Sequence, residues 1–143
     1  MGSELFENFP EELDQANEIL GYPISDLCLE GPEDQLGQTQ FTQPALYLVS
    51  YLHAKSLISQ NVFPSMAAGH SVGEFAALAT AGAVSFSDGL RMVAKRGEIM
   101  SQVKGGGMAA VIGLEDSIIT ECLANEGLRG VDLANFNSPG QIV

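Results

Sequence analysis

Basic residues are scarce in this chain of 143 residues, because six Lys and Arg stand against 18 Asp and Glu and give a net charge of −12. This charge argues against nucleic acid and against an anionic membrane as partners. No apolar run reaches the roughly 20 residues of a membrane span. Residues 1–4 lack the basic region and apolar core of a signal peptide. We therefore expect a cytoplasmic protein.

Cysteine is scarce as well. Cys28 and Cys122 lie far apart without the spacing of a metal site, so we expect buried, reduced thiols and neither a disulfide nor a bound metal. No motif predicts a cofactor. The apolar fraction of 45% and the charged fraction of 17% are those of a globular protein.

The pentapeptide Gly69-His70-Ser71-Val72-Gly73 is the main functional signal. The apolar run at 66–68 before it predicts a short buried strand, and residues 72–80 after it predict a helix. Strand, Gly-x-Ser-x-Gly turn and helix form the context of a nucleophile elbow, whose flanking residues must be small. The serine hydroxyl then lies at a helix N-terminus, where free N–H groups stabilise an oxyanion. This predicts acyl transfer through an acyl-serine; the alternative is a glycine-flanked turn with a buried serine.

Periodicity and helix breakers predict the remaining elements. Pro44 is expected in the first turn of the longest helix, after a polar loop at 33–40. The glycines at 105–107 predict a boundary between two subdomains, 1–104 and 105–143. Because one short strand precedes residue 105 and an apolar run ends the chain, we expect a part of a longer enzyme. The other predicted elements are helices at 10–20, 25–29, 44–58, 86–102 and 115–126, strands at 108–112 and 131–134, and a turn at 138–140. Either Ser85 or Ser87 is expected to cap the helix that ends at 102.

Ser71 needs a general base, and the chain offers two histidines. His53 lies inside the long predicted helix. His70 adjoins Ser71, and because neighbours on a strand point to opposite faces, its ring should point away from the hydroxyl. A Ser–His mechanism therefore needs a histidine from outside this segment.

Arg96 falls within an apolar arc of the helix predicted at 86–102, between Met92 and Met100. A buried arginine needs an anionic partner. Two readings stay open: an internal salt bridge, or a guanidinium fork that holds a substrate carboxylate. Arg91, Lys95 and Lys104 make this region locally cationic, which suits an anionic ligand or acidic partner.

Five blocks together resemble the malonyl-CoA:acyl carrier protein transacylase family, most closely the acyltransferases that serve polyketide synthases in trans. They are FTQPAL at 41–46, AGHSVGEFAAL at 68–78, KRGEIM at 95–100, GMAAVIG at 107–113 and NFNSPGQ at 135–141. The resemblance implies an α/β fold, with part of an α/β-hydrolase-like large subdomain and part of a ferredoxin-like small subdomain. It also implies malonyl-CoA and an acyl carrier protein as partners, in polyketide or fatty acid biosynthesis.

The resemblance assigns roles residue by residue. Ser71 would be the acyl-accepting nucleophile, and the N–H of Val72 one oxyanion donor. Arg96 would pair with the free carboxylate of malonyl. Val72, as a small aliphatic residue after the serine, is typical of malonyl users. Substrate-binding residues near the acyl group or the CoA arm would further include Gln43, His70, Asn137 and Gln141.

Two features of the family are missing from these residues. The glutamine turn that supplies the second oxyanion donor has no counterpart here, and the base histidine would lie in the remainder of the acyltransferase chain. Two other functions therefore stay open. One is an acyl hydrolase of the same fold that clears carrier proteins, and the other is an inactive fragment or docking module.

Overall fold

The computed structural model of the chain describes residues 2–143. Met1, the first residue of the segment in which no signal peptide was predicted, lies outside the described residues. The chain divides into two units, one ending at Val103 and the other spanning Lys104–Val143. No helix among residues 2–143 has both the length and the apolar character needed to cross a membrane.

Local sequence signals account for most helix ends in the first unit. Pro10 is the first residue of α2, where its missing N–H leaves no intrahelical bond unmade. Gly21 ends α2 in a left-handed conformation with φ of 77°. Ser85 caps α7 by accepting a hydrogen bond from the N–H of Asp88 at 3.0 Å. The helices are α1 Ser3–Asn8, α2 Pro10–Leu20, α3 Ile24–Leu29, α4 Glu33–Leu36, α5 Thr39–Ser59, α6 Gly73–Thr80 and α7 Phe86–Ser101.

Helix α5 is longer than predicted. It begins at Thr39, so Pro44 is its sixth residue and lies inside the helix. The predicted first-turn position of Pro44 was wrong, because a proline in helical φ removes one backbone hydrogen bond without ending the helix when packing holds it. Part of the predicted polar loop is the short helix α4.

The core of the first unit surrounds α5, which packs most extensively on α7. Glycines on α7 permit the close approach. A Cβ at Gly89 would lie 2.3 Å from Tyr47 Oη, and one at Gly97 would lie 3.0 Å from the Cα of Gln40. Tyr47 Oη donates a hydrogen bond to the carbonyl of Phe86 at 2.8 Å, which satisfies a polar group that this core buries.

The predicted strand at 66–68 is absent from the described residues. The backbone there is irregular, and Met66 is 90% exposed. A strand needs a hydrogen-bonded neighbour, and residues 2–103 contain none, so the apolar character of the run was not enough.

The second unit is built on a small antiparallel sheet with the order β1-β3-β2. Its elements are β1 Val111–Ile112, α8 Asp116–Asn125, β2 Phe136–Ser138 and β3 Gln141–Ile142. The strand predicted at 131–134 was wrong, because β2 lies further along the chain. The turn at Pro139 and Gly140 closes a β2–β3 hairpin, which places the pairing at Phe136 to Ser138. Cys28 is buried as expected, whereas Cys122 on α8 is exposed.

Candidate functional site

Ser71 lies at the tight turn that leads into α6. Its φ of 54° is in the left-handed region, which is uncommon for a residue other than glycine. The N–H of Gly73 bonds the carbonyl of His70 at 2.9 Å, and the N–H of Glu74 bonds the carbonyl of Ser71 at 3.2 Å. Strained backbone of this kind, costing about 1–3 kcal/mol, is concentrated at functional sites. Ser71 is exposed, so its hydroxyl is accessible to a substrate.

The two glycines of the pentapeptide are not equivalent. A Cβ at Gly69 would lie 2.1 Å from the carbonyl carbon of Gly73, so residue 69 must be glycine for the turn to close. A Cβ at Gly73 would meet no described atom within 4 Å. The expectation that both flanking positions must be small therefore holds by space for the first glycine alone.

The backbone after Ser71 presents a free donor. Val72 precedes α6, and its N–H makes none of the backbone hydrogen bonds of residues 2–143 outside the helices and strands. The first N–H groups of a helix have no intrahelical acceptor. This N–H is therefore free to hydrogen-bond an oxyanion formed at Ser71.

Arg96 lies beside Ser71, although 25 residues separate them. Its Nη2 donates a hydrogen bond to Ser71 Oγ at 3.0 Å, and its Nη1 donates to Gln43 Oε1 at 2.5 Å. Gln43 lies on α5 and is 6% exposed. Helices α5, α6 and α7 thus place three of the predicted site residues together.

The internal salt bridge that sequence periodicity left open for Arg96 is absent, since no carboxylate of residues 2–143 pairs with it. The side chain is half-buried. A half-buried guanidinium without an acidic partner can bind an anionic ligand.

An open groove adjoins Arg96. It has a volume of about 490 Å³ and is lined by Phe75, Met92, Lys95, Arg96, Ile99 and Met100. The outer part of the predicted apolar arc therefore faces this groove and not the core: Met92 and Met100 are each 42% exposed. The residues of α7 that do enter the core are Phe86, Gly89, Leu90, Val93 and Gly97.

Two of the three cations of α7, Arg91 and Lys95, have acidic partners on their own helix. Arg91 pairs with Asp88 at 3.3 Å, and Lys95 pairs with Glu98 at 2.8 Å. Exposed pairs of this kind contribute little stability, but they reduce the local positive charge. Arg96 is consequently the cation of α7 that is best suited to bind an anion.

Of the remaining predicted site residues, His70 belongs to the first unit. His70 is exposed directly before Ser71, and His53 is exposed on α5. Asn137 and Gln141 belong to the second unit, where Asn137 lies at an irregularity of β2 and Gln141 pairs with Ile112 and Ser138. Their substrate-binding roles stay predictions.

Met100 is a site residue that sequence reasoning missed. Its Sδ accepts a hydrogen bond from Gln43 Nε2 at 3.1 Å. The signal was the spacing of four residues from Arg96, which places both side chains on one face of a helix.

The chain is similar to a known domain family and to several known proteins. The acyl transferase domain family matches residues 1–143. The chain is 52% identical over 144 residues to the polyketide biosynthesis malonyl CoA-acyl carrier protein transacylase PksC of Bacillus subtilis, across all of this chain and 50% of the relative. It is 54% identical over 144 residues to the polyketide biosynthesis protein ThaF of Burkholderia thailandensis, across all of this chain and 12% of the relative.

A solved structure shows the same likeness. The malonyl CoA-acyl carrier protein transacylase from Burkholderia pseudomallei is 44% identical and superposes with a TM-score of 0.95, over 99% of this chain and 49% of that one. The chain thus spans about half the length of PksC and of this solved structure, and less of ThaF.

Proposed function

The chain belongs to the acyl transferase domain family and has an α/β acyltransferase fold, and we propose that it carries the nucleophile and the carboxylate-binding arginine of a malonyl-CoA:acyl carrier protein transacylase. The observation that carries the proposal is the 3.0 Å hydrogen bond from Arg96 Nη2 to Ser71 Oγ. A serine nucleophile beside a cation that has no acidic partner among residues 2–143 suits an acyl group with a free carboxylate. An acyl hydrolase for neutral chains has no need of that cation.

The reaction has two half-reactions. Ser71 Oγ attacks the thioester carbonyl of malonyl-CoA, its proton passes to a general base, and the CoA thiolate leaves and takes a proton, so that an oxygen ester replaces the thioester. The thiol of the carrier protein's phosphopantetheine then attacks the ester carbonyl. Ser71 regains its proton as the malonyl thioester of the carrier forms.

Val72 and Arg96 would stabilise two different negative charges in this reaction. The N–H of Val72 would stabilise the oxyanion of each tetrahedral intermediate. Arg96 would pair with the malonyl carboxylate, while Gln43 holds its Nη1. Since a three-carbon diacid places its carboxylate close to its thioester carbonyl, one site must hold both the nucleophile and the cation.

The remaining parts of the site are assigned by family likeness. We propose that the base histidine and the second oxyanion donor come from residues outside this chain, and that His70, Asn137 and Gln141 contact the substrate. The α/β-hydrolase-like and ferredoxin-like subdomains are proposed on the same basis. The polyketide context and the acyl carrier protein partner rest on the name of the relative PksC, and the cytoplasmic location stays a prediction from sequence.

Mass spectrometry of the full-length protein after brief exposure to malonyl-CoA tests the proposal. We expect a malonyl adduct on the Ser71 peptide that Ser71→Ala abolishes. Ser65→Ala is the matched control, because Ser65 is an exposed serine of the segment leading to the turn. An adduct that persists in Ser71→Ala, or no adduct in the parent protein, would contradict the assignment.

The arginine is tested by acyl selectivity. Arg96→Ala should abolish loading from malonyl-CoA and spare loading from acetyl-CoA, because acetyl has no carboxylate. Loss of acetyl loading with retained malonyl loading would favour the hydrolase.

A further inference from the structure

Gln43 links Arg96 to a thioether. Its Oε1 accepts from Arg96 Nη1 at 2.5 Å, and its Nε2 donates to Met100 Sδ at 3.1 Å. We infer that Met100 is a positioning residue for Arg96 and acts through the orientation of the Gln43 amide. The inference rests on the proposed function, because it concerns how the carboxylate-binding arginine is held.

The orientation of the amide has a physical cause on each side. Arginine has only donors, so the amide group that faces Arg96 must be the carbonyl oxygen. The NH₂ group then points to Met100. Because Gln43 is 6% exposed, water does not readily replace an acceptor that is lost there. A buried donor without an acceptor is costly.

Without the sulfur, the hydrogen bond from Arg96 Nη1 still favours this orientation, but the NH₂ group of Gln43 loses the acceptor that it has here. An amide that turns toward another acceptor would lengthen its bond to Arg96 Nη1, and the guanidinium would then move. Since Nη2 of the same guanidinium bonds Ser71 Oγ at 3.0 Å, this movement changes where a substrate carboxylate is held. Met100 therefore influences the binding of malonyl more than the reactivity of Ser71.

Helix α7 supplies a matched control. Met92 is the same residue type on the same helix, lines the same groove and has the same exposed fraction of 42%. It makes no hydrogen bond to Gln43 among those of residues 2–143. A comparison of the two methionines separates the thioether hydrogen bond from the general effect of altering the groove.

The experiment uses the full-length protein with Met100→Leu, Met100→Gln and Met92→Leu. Leucine removes the acceptor, and glutamine restores one with its carbonyl. Three quantities are measured: kcat and KM with malonyl-CoA, and the rate at which phenylmethylsulfonyl fluoride modifies Ser71. Because this neutral reagent has no carboxylate, its rate reports on the reactivity of Ser71 and not on carboxylate binding by Arg96.

For Met100→Leu we expect KM for malonyl-CoA to rise about tenfold, with kcat and the sulfonylation rate within twofold of the parent protein. Met100→Gln should restore most of the KM, and Met92→Leu should leave it unchanged. Equal effects of Met100→Leu and Met92→Leu, or no restoration by glutamine, would overturn the inference. So would a parallel loss of kcat and sulfonylation, which indicates a structural defect. A parent protein that forms no malonyl adduct would overturn the proposed function as well.

Discussion

The two units differ in how they bury their apolar side chains. Within residues 2–143, every buried apolar side chain except Ile142 lies in the first unit. There the helices enclose Leu48 and Leu52 of α5 completely. In the second unit no strand exceeds three residues, and α8 has no buried residue.

The second unit leaves much of its apolar surface exposed. An apolar groove of about 460 Å³ lies between its strands, helix and loops, and several of its large apolar side chains are exposed: Met108, Ile112, Leu114, Ile118, Leu128, Val131 and Phe136. The difference teaches that the unit carrying Ser71 and Arg96 is held by its own core. The position of the nucleophile therefore depends on packing around α5.

Leucine truncation should give the largest contrast between the units. Leu52→Ala should lower the free energy of unfolding by about 2–5 kcal/mol, because it removes a fully buried side chain and leaves a cavity. Leu128→Ala in the second unit should change it by less than about 0.5 kcal/mol, since Leu128 is 54% exposed. Urea unfolding followed by helical ellipticity measures both, and equal shifts would contradict the contrast.

Glycine replacement compares the units at the level of the backbone. Gly69→Ala should reduce acylation of Ser71 about 100-fold, because a Cβ there meets the backbone of Gly73 at 2.1 Å and displaces the nucleophile. Gly106→Ala in the second unit should have little effect, as a Cβ there meets no described atom of a more distant residue within 4 Å. The rate of malonyl adduct formation measures both. A Gly69→Ala protein with the parent rate would show that the close approach is not required.

Tyrosine titration examines the core of the first unit alone, because all three tyrosines precede residue 104. Burial raises the pKa of Tyr22 to about 12, with a smaller contribution from Cys28, and burial also raises the pKa of Tyr47. The unfolded chain loses these protons near pH 10, whereas the folded unit keeps them. The stability of the first unit should therefore be intact below pH 10 and fall as the pH rises toward 12.

Two phenylalanine variants sharpen that titration. Tyr47→Phe should lower the free energy of unfolding at neutral pH by about 1 kcal/mol, because it removes the hydrogen bond to the Phe86 carbonyl. Tyr22→Phe should be close to neutral, since its buried hydroxyl has no hydrogen-bond partner among the described residues. Both variants should flatten the alkaline loss of stability. Urea midpoints measure these effects at pH 8, which is about two units below the usual tyrosine pKa, and at pH 11, which is about one unit above it. A loss of stability between the two pH values that is the same in the variants and the parent protein would contradict the burial argument.

Elements with strong local signals were predicted well. The proline and glycine around α2 and the serine before α7 mark helix ends through their own backbone and side-chain chemistry, and both helices were confirmed within one residue. The strands at 66–68 and 131–134 were wrong, because a strand is stabilised by a partner that apolar character does not identify. Family likeness assigned Ser71 as the nucleophile and Arg96 as the carboxylate-binding residue, and periodicity alone left the role of Arg96 open. The hydrogen bond between the two side chains was not predicted.

The sequence by itself determined α2 and α7, the glycine-flanked serine and the placement of Arg96 within an apolar arc of its helix, because these depend on residues within a few positions of one another. The tertiary structure decided which groups meet. The packing of α5 against α7 places the Gln43 amide between Arg96 and Met100, and the turn before α6 places Ser71 Oγ 3.0 Å from Arg96 Nη2. Such distances depend on how whole helices pack, and packing joins residues that are far apart in the chain.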